Sequence, residues 1–503
     1  MNRKKTSRLA LNVTTVLLML LCGLRLSAQT AITLEDALEI AEKNSPRIQT
    51  SRLSLTRSQE LLNAQRAAMR SNFSLTATPF EHRSSRPFNA TVGDFQRDNA
   101  ISSSAALRVV QPIVASDATV TLMNTISHTN VWGDRYRPGG WEEYSDRYFQ
   151  NRLTLSIDQP IFTYNRRRMQ LQELEFALEN SEVSHILQRL NLERQVTQSF
   201  FSVYQQQQRV DIARRAFESM QQNYEITKVK AEAGLSAEVE LFQAELNLAN
   251  SRSDYENSLV TLENTKDNFK ILVGMSLYDD FMVLPDINID TLSVDPGFAI
   301  DQALENRLEL RQREIQIEES QFSMIRTMAQ NEFRGSVNLS IGMQGNDPNF
   351  FNIYDDSYPT SSVSVRFDIP VFDWGENRAR IRATEASMES VKISYQDEVN
   401  SIIQSVRQVY RNLNNLRNQI EIQRQSVVNA ELTYKINLER YRNGDLTGMD
   451  LNRFQEQLSS AELSYTNALI SYKLELLNLK IQTLYDFEEG KPITDFVFTT
   501  TDR

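Results

Sequence analysis

Residues 196–259 read VTQSFFSVYQQQQRVDIARRAFESMQQNYEITKVKAEAGLSAEVELFQAELNLANSRSDYENSL, and residues 406–469 answer them. Val196, Phe200, Tyr224, Gly234, Leu241, Leu248, Tyr255, Asn257 and Leu259 return as Val406, Tyr410, Tyr434, Gly444, Leu451, Leu458, Tyr465, Asn467 and Leu469, about 210 residues on and without a gap. Within each copy an apolar residue falls every seventh place. Val196, Val203, Val210, Phe217, Tyr224 and Ala231 lead to Gly234. Leu241, Leu248, Tyr255, Leu262 and Phe269 lead away from it. The second copy repeats this with Val406, Leu413, Ile420, Val427, Tyr434 and Tyr441, then Leu451, Leu458, Tyr465, Tyr472 and Leu479. A sustained seven-residue period is the mark of coiled-coil packing. Glycine is the residue expected where a long helix must reverse. The spacing therefore predicts two helical hairpins. Their outbound helices, over residues 163–233 and 373–443, would each reach about 100 Å at 1.5 Å per residue.

Outside the helices the period drops to two. Phe73, Leu75 and Ala77 alternate with Ser74, Thr76 and Thr78, and Leu153, Leu155 and Ile157 with Thr154, Ser156 and Asp158. Val363, Val365, Phe367 and Ile369 alternate with Ser364, Arg366 and Asp368. Such strands carry one apolar and one polar face. A soluble sandwich and a lipid-facing barrel use that pattern alike. Residues 81–100, 130–148 and 345–360 read as long polar loops with aromatic residues, which suit a membrane interface. The first copy holds four strand-like runs between residues 73 and 161 where the second has two. Gln111-Pro112-Ile113 resembles the later Gln159-Pro160-Ile161, so an extra hairpin is expected there, one that widens, plugs or caps the barrel.

The N-terminus reads as an address. Arg3, Lys4, Lys5 and Arg8 precede an apolar run from Leu9 to Leu21, and Ser27-Ala28 offers a cleavage site before Gln29. This is the pattern of a secretory signal peptide over residues 1–28. The chain's one cysteine, Cys22, lies inside it. Leu21 is larger than the residue a lipoprotein signal places before its cysteine, so cleavage near Ala28 is favoured over lipidation. Removal takes five positive charges and no acid, moving the formal charge from -11 to -16. That balance argues against nucleic acid as a partner.

The remaining organisation follows. Thr33-Leu34-Glu35-Asp36 starts a helix running to about Met69, and another covers residues 297–332. The domain reading is thus a first repeat over 29–274, an inter-repeat linker over 275–296, a second repeat over 297–487 and a tail over 488–503. His82, His128 and His185 are scattered and suggest no metal site. Arg166-Arg167-Arg168 reads as a solvated basic corner. No Gly-rich phosphate loop or nucleophile elbow occurs, so neither an enzyme nor a cofactor is expected.

This layout resembles the TolC-type outer-membrane efflux proteins over nearly all of the mature chain. Thr33-Leu34-Glu35-Asp36-Ala37-Leu38-Glu39 with Asn44-Ser45-Pro46 is similar to the family's start, and Asp301-Gln302-Ala303-Leu304-Glu305-Asn306-Arg307-Leu308-Glu309-Leu310 to the start of its second repeat. Gln159-Pro160-Ile161-Phe162 and Ile369-Pro370-Val371-Phe372-Asp373 resemble its strand-to-helix corner. The resemblance implies a mainly α fold with a membrane β-barrel: duplicated coiled-coil hairpins forming a periplasmic tunnel, joined to an outer-membrane barrel shared by a homotrimer. It implies a periplasmic adaptor, an inner-membrane pump and outer-membrane lipid as partners. The adaptor-contacting tip falls at Gly234-Leu235-Ser236 and Gly444-Asp445-Leu446-Thr447. The acidic position six residues past each tip glycine, which faces the closed pore in the family, is Glu240 and Asp450. Arg453 stands where a second acid of the pair is expected, and would either latch the tip by pairing with an acid or weaken cation binding.

The function so implied is a passive exit duct for small toxic compounds in a tripartite efflux system. The alternatives are the outlet of a type I protein secretion system, a metal-ion efflux outlet, or, from another class, a secreted coiled-coil scaffold or adhesin. Methionine is not clustered as a soft-metal path would have it.

Overall fold

The computed structural model describes residues 30–234, 237–285, 294–355, 357–487 and 489–493. The signal peptide and Cys22, the turn residues Leu235 and Ser236, residues 286–293 of the linker and most of the tail lie outside them. In chain order the main elements are β1 (Thr30–Ile32), α1 (Leu34–Asn44), α2 (Pro46–Ala68), β2 (Asn72–Ser85), β3 (Asp98–Ile113), β4 (Ala118–Arg137), β5 (Gly140–Ile161), α3 (Arg166–Glu232) and α4 (Glu238–Val273). They continue with β6 (Phe281–Val283), α5 (Pro296–Asn306), α6 (Leu308–Ala329), β7 (Arg334–Asp347), β8 (Tyr358–Asp368), α7 (Glu376–Asn443) and α8 (Gly448–Thr483). Contacts divide the chain into two compact units, and α3 and α7 contribute to both.

The first unit takes the residues up to Arg52, Ser184–Leu308 and those from Val399 on. Its helices are the two expected hairpins, and the sevenfold positions are their seams. Val196, Val203, Val406, Leu451 and Leu479 are fully buried. Phe200, Phe269 and Phe281 pack together as tilted rings, with centroids 6.3 and 5.3 Å apart. Thr33 caps α1 as its sequence suggests: the Asp36 amide donates to Thr33 Oγ1 at 3.2 Å, and the Thr33 amide to Asp36 Oδ2 at 3.0 Å. The opening helix does not run unbroken to Met69. It stops at Ser45, whose extended backbone (ψ 126) obeys the steric bar on helical geometry before Pro46. The second repeat breaks in the same place, at Arg307 (ψ 119), with no proline to force it. There the Arg307 guanidinium donates to Gln482. Phe281–Val283, within the stretch read as the linker, pairs in parallel with Thr30–Ile32 as a two-stranded sheet.

The second unit takes Leu53–Val183 and Glu309–Glu398. It holds one antiparallel sheet in the order β8-β7-β5-β4-β3-β2, so the extra hairpin of the first copy is present. The expected loops are much shorter than the sequence suggests. Residues 81–85, 98–100, 130–137 and 140–148 are strand, paired in register as far as Arg137↔Gly140 and Ser85↔Asp98. In these ribbon ends neither face is apolar, so alternation vanishes while backbone pairing continues; periodicity reads faces, and hydrogen bonding needs none. At the strand-to-helix corners the chain passes through left-handed residues, Phe162 (φ 57) in the first copy and Trp374 and Gly375 (φ 56 and 85) in the second.

The basic run at the first corner is exposed at Arg166 and Arg168, as read, but Arg167 is half-buried and the run is tied down. Arg166 Nε and Arg167 Nη1 reach the Asp117 carboxylate at 3.1 and 2.9 Å, and Asp117 is only 5% exposed. Arg167 also donates to the Ala118 carbonyl at 3.0 Å and to Thr119 Oγ1 at 2.7 Å. Asn165 Nδ2 donates to the Val114 carbonyl at 2.5 Å. These bonds hold the turn between β3 and β4 on the corner that starts α3. Among the described residues no helix is long and apolar enough to cross a membrane.

Candidate functional site

The two hairpin turns belong to the first unit. At the second turn α7 ends in paired bonds: the Gly444 amide donates to the Tyr441 carbonyl at 3.1 Å and the Asp445 amide to the Arg440 carbonyl at 2.9 Å. That pattern needs a left-handed residue between helix and turn, and Gly444 supplies it at φ +88. Gly234 does the same at φ +73, its amide donating to the Ala231 carbonyl at 2.9 Å. The return helix α8 is capped by Thr447, whose Oγ1 accepts from the Asp450 amide at 3.2 Å. The Thr447 hydroxyl in turn donates to Asp450 Oδ2 at 2.7 Å. Asp450 is therefore tied to the cap residue as well as being an exposed acid. A carboxylate in the first helical turn is also favoured by the helix dipole.

A cavity of about 730 Å³ lies beside the second turn, lined also by the end of α3 and the start of α4. Glu240 and Asp450 both line it, so the structure brings the two nominated acids to one space. Asp445, Leu446 and Thr447 line it too. Arg453 is not among its lining residues. It is exposed and makes no ion pair with a described residue of its own chain, so the acid-paired latch imagined for it is absent within the protomer.

A different hydrogen-bonded tie is present, and little in the sequence announces it. Tyr441, 4% exposed, donates its hydroxyl to Thr227 Oγ1 at 2.7 Å. Thr227, itself buried, donates to the Asn223 carbonyl at 2.8 Å. Lys230 Nζ donates to the Tyr441 carbonyl at 3.0 Å and sits 4.8 Å from the centre of the Tyr441 ring. One heptad up, Tyr434 and Ser219 pair their hydroxyls at 2.8 Å. These bonds join the end of α3 to the end of α7. The available clue was chemical. Tyr434 and Tyr441 put hydroxyls into an otherwise apolar seam, and a buried hydroxyl requires a partner.

Known proteins agree with this architecture. The outer membrane efflux protein family matches residues 127–265 and 299–481, well over half of the chain. This chain belongs to that family. Its curated relatives include the cation efflux system protein CusC of Escherichia coli strain K12, 21% identical over 309 residues, 61% of this chain and 66% of CusC. The outer membrane protein TolC of Salmonella enteritidis is 22% identical over 248 residues, 46% of this chain and 50% of TolC. The matched stretches thus span about two thirds or less of these relatives. Among solved structures, the Campylobacter jejuni CmeC outer membrane channel shares the fold with a TM-score of 0.68 at 17% identity, over 90% of this chain and 85% of CmeC. The family match starts inside β4, so β2 and β3 precede its first matched residue.

Proposed function

We propose that this protein is the outer-membrane exit duct of a tripartite efflux system. Three copies share one β-barrel in the outer membrane, and their helical hairpins extend into the periplasm. The turns at Gly234-Leu235-Ser236 and Gly444-Asp445-Leu446-Thr447 meet a periplasmic adaptor, and an inner-membrane pump supplies the energy. The chain itself performs no catalysis. Its cargo is small toxic compounds.

One observation carries the reading: the ends of α3 and α7, the start of α4 and the second glycine turn line a common cavity holding Glu240 and Asp450. Two acids beside an aperture favour cations through Coulomb attraction, most strongly at low salt. Arg453 opposes that preference from the next helical turn. Family membership and the one-faced apolar sheet support placement in the outer membrane.

The test is a deletion strain. Loss of the protein should raise accumulation of a lipophilic dye and sensitivity to toxic compounds, both restored by the wild-type gene. Unchanged dye accumulation together with loss of an exported polypeptide would replace this reading with a type I secretion outlet.

A further inference from the structure

The extra hairpin has three possible places: in the barrel wall, inside the lumen as a plug, or over the mouth as a cap. Each demands a different surface. A wall strand needs one face for lipid and one for water. A plug or cap is wet on both sides and needs no apolar face at all.

The register settles which surface the hairpin has. Phe73, Leu75 and Ala77 on β2 stand opposite Val109, Leu107 and Ala105 on β3. Val109 then stands opposite Leu122 on β4, and Leu122 opposite Leu155 on β5. Leu155 faces Ile341 on β7, and the neighbouring Leu339 and Val337 face Val363 and Val365 on β8. One apolar band therefore crosses all six strands without changing sides. The other side carries Ser74 and Thr76 on β2, Arg108 and Ala106 on β3, Thr121 on β4, Ser156 on β5, Ser340 on β7 and Ser362 and Ser364 on β8, by the same pairings, and is mainly polar. The hairpin's apolar residues are also bare: Phe73 and Leu75 are each 71% exposed, comparable to Val363 at 69% on the far edge.

The hairpin's base is fixed as well. The turn that joins β3 to β4 is clamped by Arg166, Arg167 and Asn165 at the corner of α3. That is where a wall strand must end.

We propose that the hairpin is part of the wall, so that the trimer closes an eighteen-stranded barrel. This rests on the trimer of the preceding reading. The sheet's two edges make closure possible. With six antiparallel strands, β2 and β8 run in opposite senses, so β8 of one copy meets β2 of the next as another antiparallel pair. Repeating that heterologous contact three times closes the ring and leaves no free edge. Without the extra pair each copy would supply four strands, and the barrel would have twelve. At a strand spacing of about 4.8 Å and a tilt near 40°, twelve strands give a barrel radius of roughly 12 Å and eighteen roughly 18 Å. The lumen's cross-section more than doubles.

The experiment uses the trimer extracted in detergent and returned to lipid. Its mass reads the number of copies, and an electron-microscopy map at strand resolution counts the wall. In parallel, Leu75→Cys carries a fluorophore in bilayers doped with nitroxide lipids, and Thr76→Cys is tested with a membrane-impermeant thiol reagent. Both positions are exposed, so neither change removes a packed side chain. The expected result is a trimer with eighteen wall strands, lipid quenching at position 75 and aqueous labelling at 76. A trimer with twelve wall strands and the hairpin in the lumen, or a label at 75 that nitroxide lipids do not quench, overturns this inference alone. A mass other than three copies overturns the trimer reading beneath it.

Discussion

Replacing Tyr441 by Phe removes one hydroxyl from the junction of α3 and α7 and little else. The ring stays under Lys230, and the Lys230 bond to the residue-441 carbonyl is a backbone contact that survives. Thr227 keeps its donor bond to Asn223. What is lost is the 2.7 Å bond from Tyr441 to Thr227, between two residues each at most 5% exposed, and with it a long 3.4 Å contact to the Asn223 carbonyl. A buried neutral hydrogen bond contributes about 1 kcal/mol net. If the three protomers of a trimer open together, the closed state loses about 3 kcal/mol, on the order of a hundredfold in the closed-to-open ratio. Single-channel recording in planar bilayers reads that ratio directly. A double-mutant cycle with Thr227→Val isolates the bond, and its coupling should be about 1 kcal/mol per protomer. Additive effects of the two substitutions, or a Tyr441→Phe channel that gates like the wild type, would refute the tie's role in gating.

Four further outcomes follow from the same geometry. Gly444→Ala has open space for its Cβ but must hold φ +88, so it should cost roughly 1–2 kcal/mol of stability, read by thermal unfolding of the trimer. Asp450→Asn keeps an acceptor for Thr447, whereas Asp450→Ala loses it; both should reduce cation preference in reversal-potential measurements, and only Ala should lose about 1 kcal/mol of stability. Asp117→Ala unclamps Arg166 and Arg167 from the strand turn and should cost on the order of 2 kcal/mol, seen as a lower temperature at which the trimer dissociates on a gel. Burial pushes the Glu193 carboxyl above its ordinary value, against the opposing pull of Lys480 and Arg189. A raised carboxyl disfavours the folded state once ionised, so stability should fall as pH rises from about 4.5 through the folded value. Glu193→Gln should flatten that slope, and an unchanged slope in pH-dependent melting would remove Glu193 as its source.

The parts of this protein that were legible in its sequence are the parts ruled by a period. Val196, Val406, Leu451 and Leu479 sit at sevenfold spacing because a seam must be apolar, and all four are buried. Phe73, Leu75 and Ala77 alternate because one face of a strand meets a different medium from the other. Where the structure answers to something else, the sequence is mute. The ribbon at Trp132 and Tyr144 is strand held by backbone pairing, with no face to alternate. The break at Arg307 has no proline to announce it. The Arg166–Asp117 clamp joins residues nearly fifty positions apart, a distance that charge patterning cannot bridge. At the turns, the acids Glu240 and Asp450 are implied by the family resemblance, six residues past each glycine, and the bond from the Thr447 hydroxyl to the Asp450 carboxylate qualifies that choice. Tyr441 sits in the seam, as its sevenfold spacing has it; its hydroxyl also ties α7 to α3.

If the proposed duct is gated at its helix turns, it must conduct, and must conduct more when the tie at Tyr441 is weakened. The conductance of the purified wild-type trimer in a planar bilayer, across a salt gradient, reads both properties. Discrete insertion steps of low conductance are expected, with a reversal potential on the cation side and a larger conductance when Tyr441 is replaced by Phe. A folded trimer that inserts without conducting, or one that conducts with anion preference, would contradict a cation-favouring duct closed at Gly234 and Gly444.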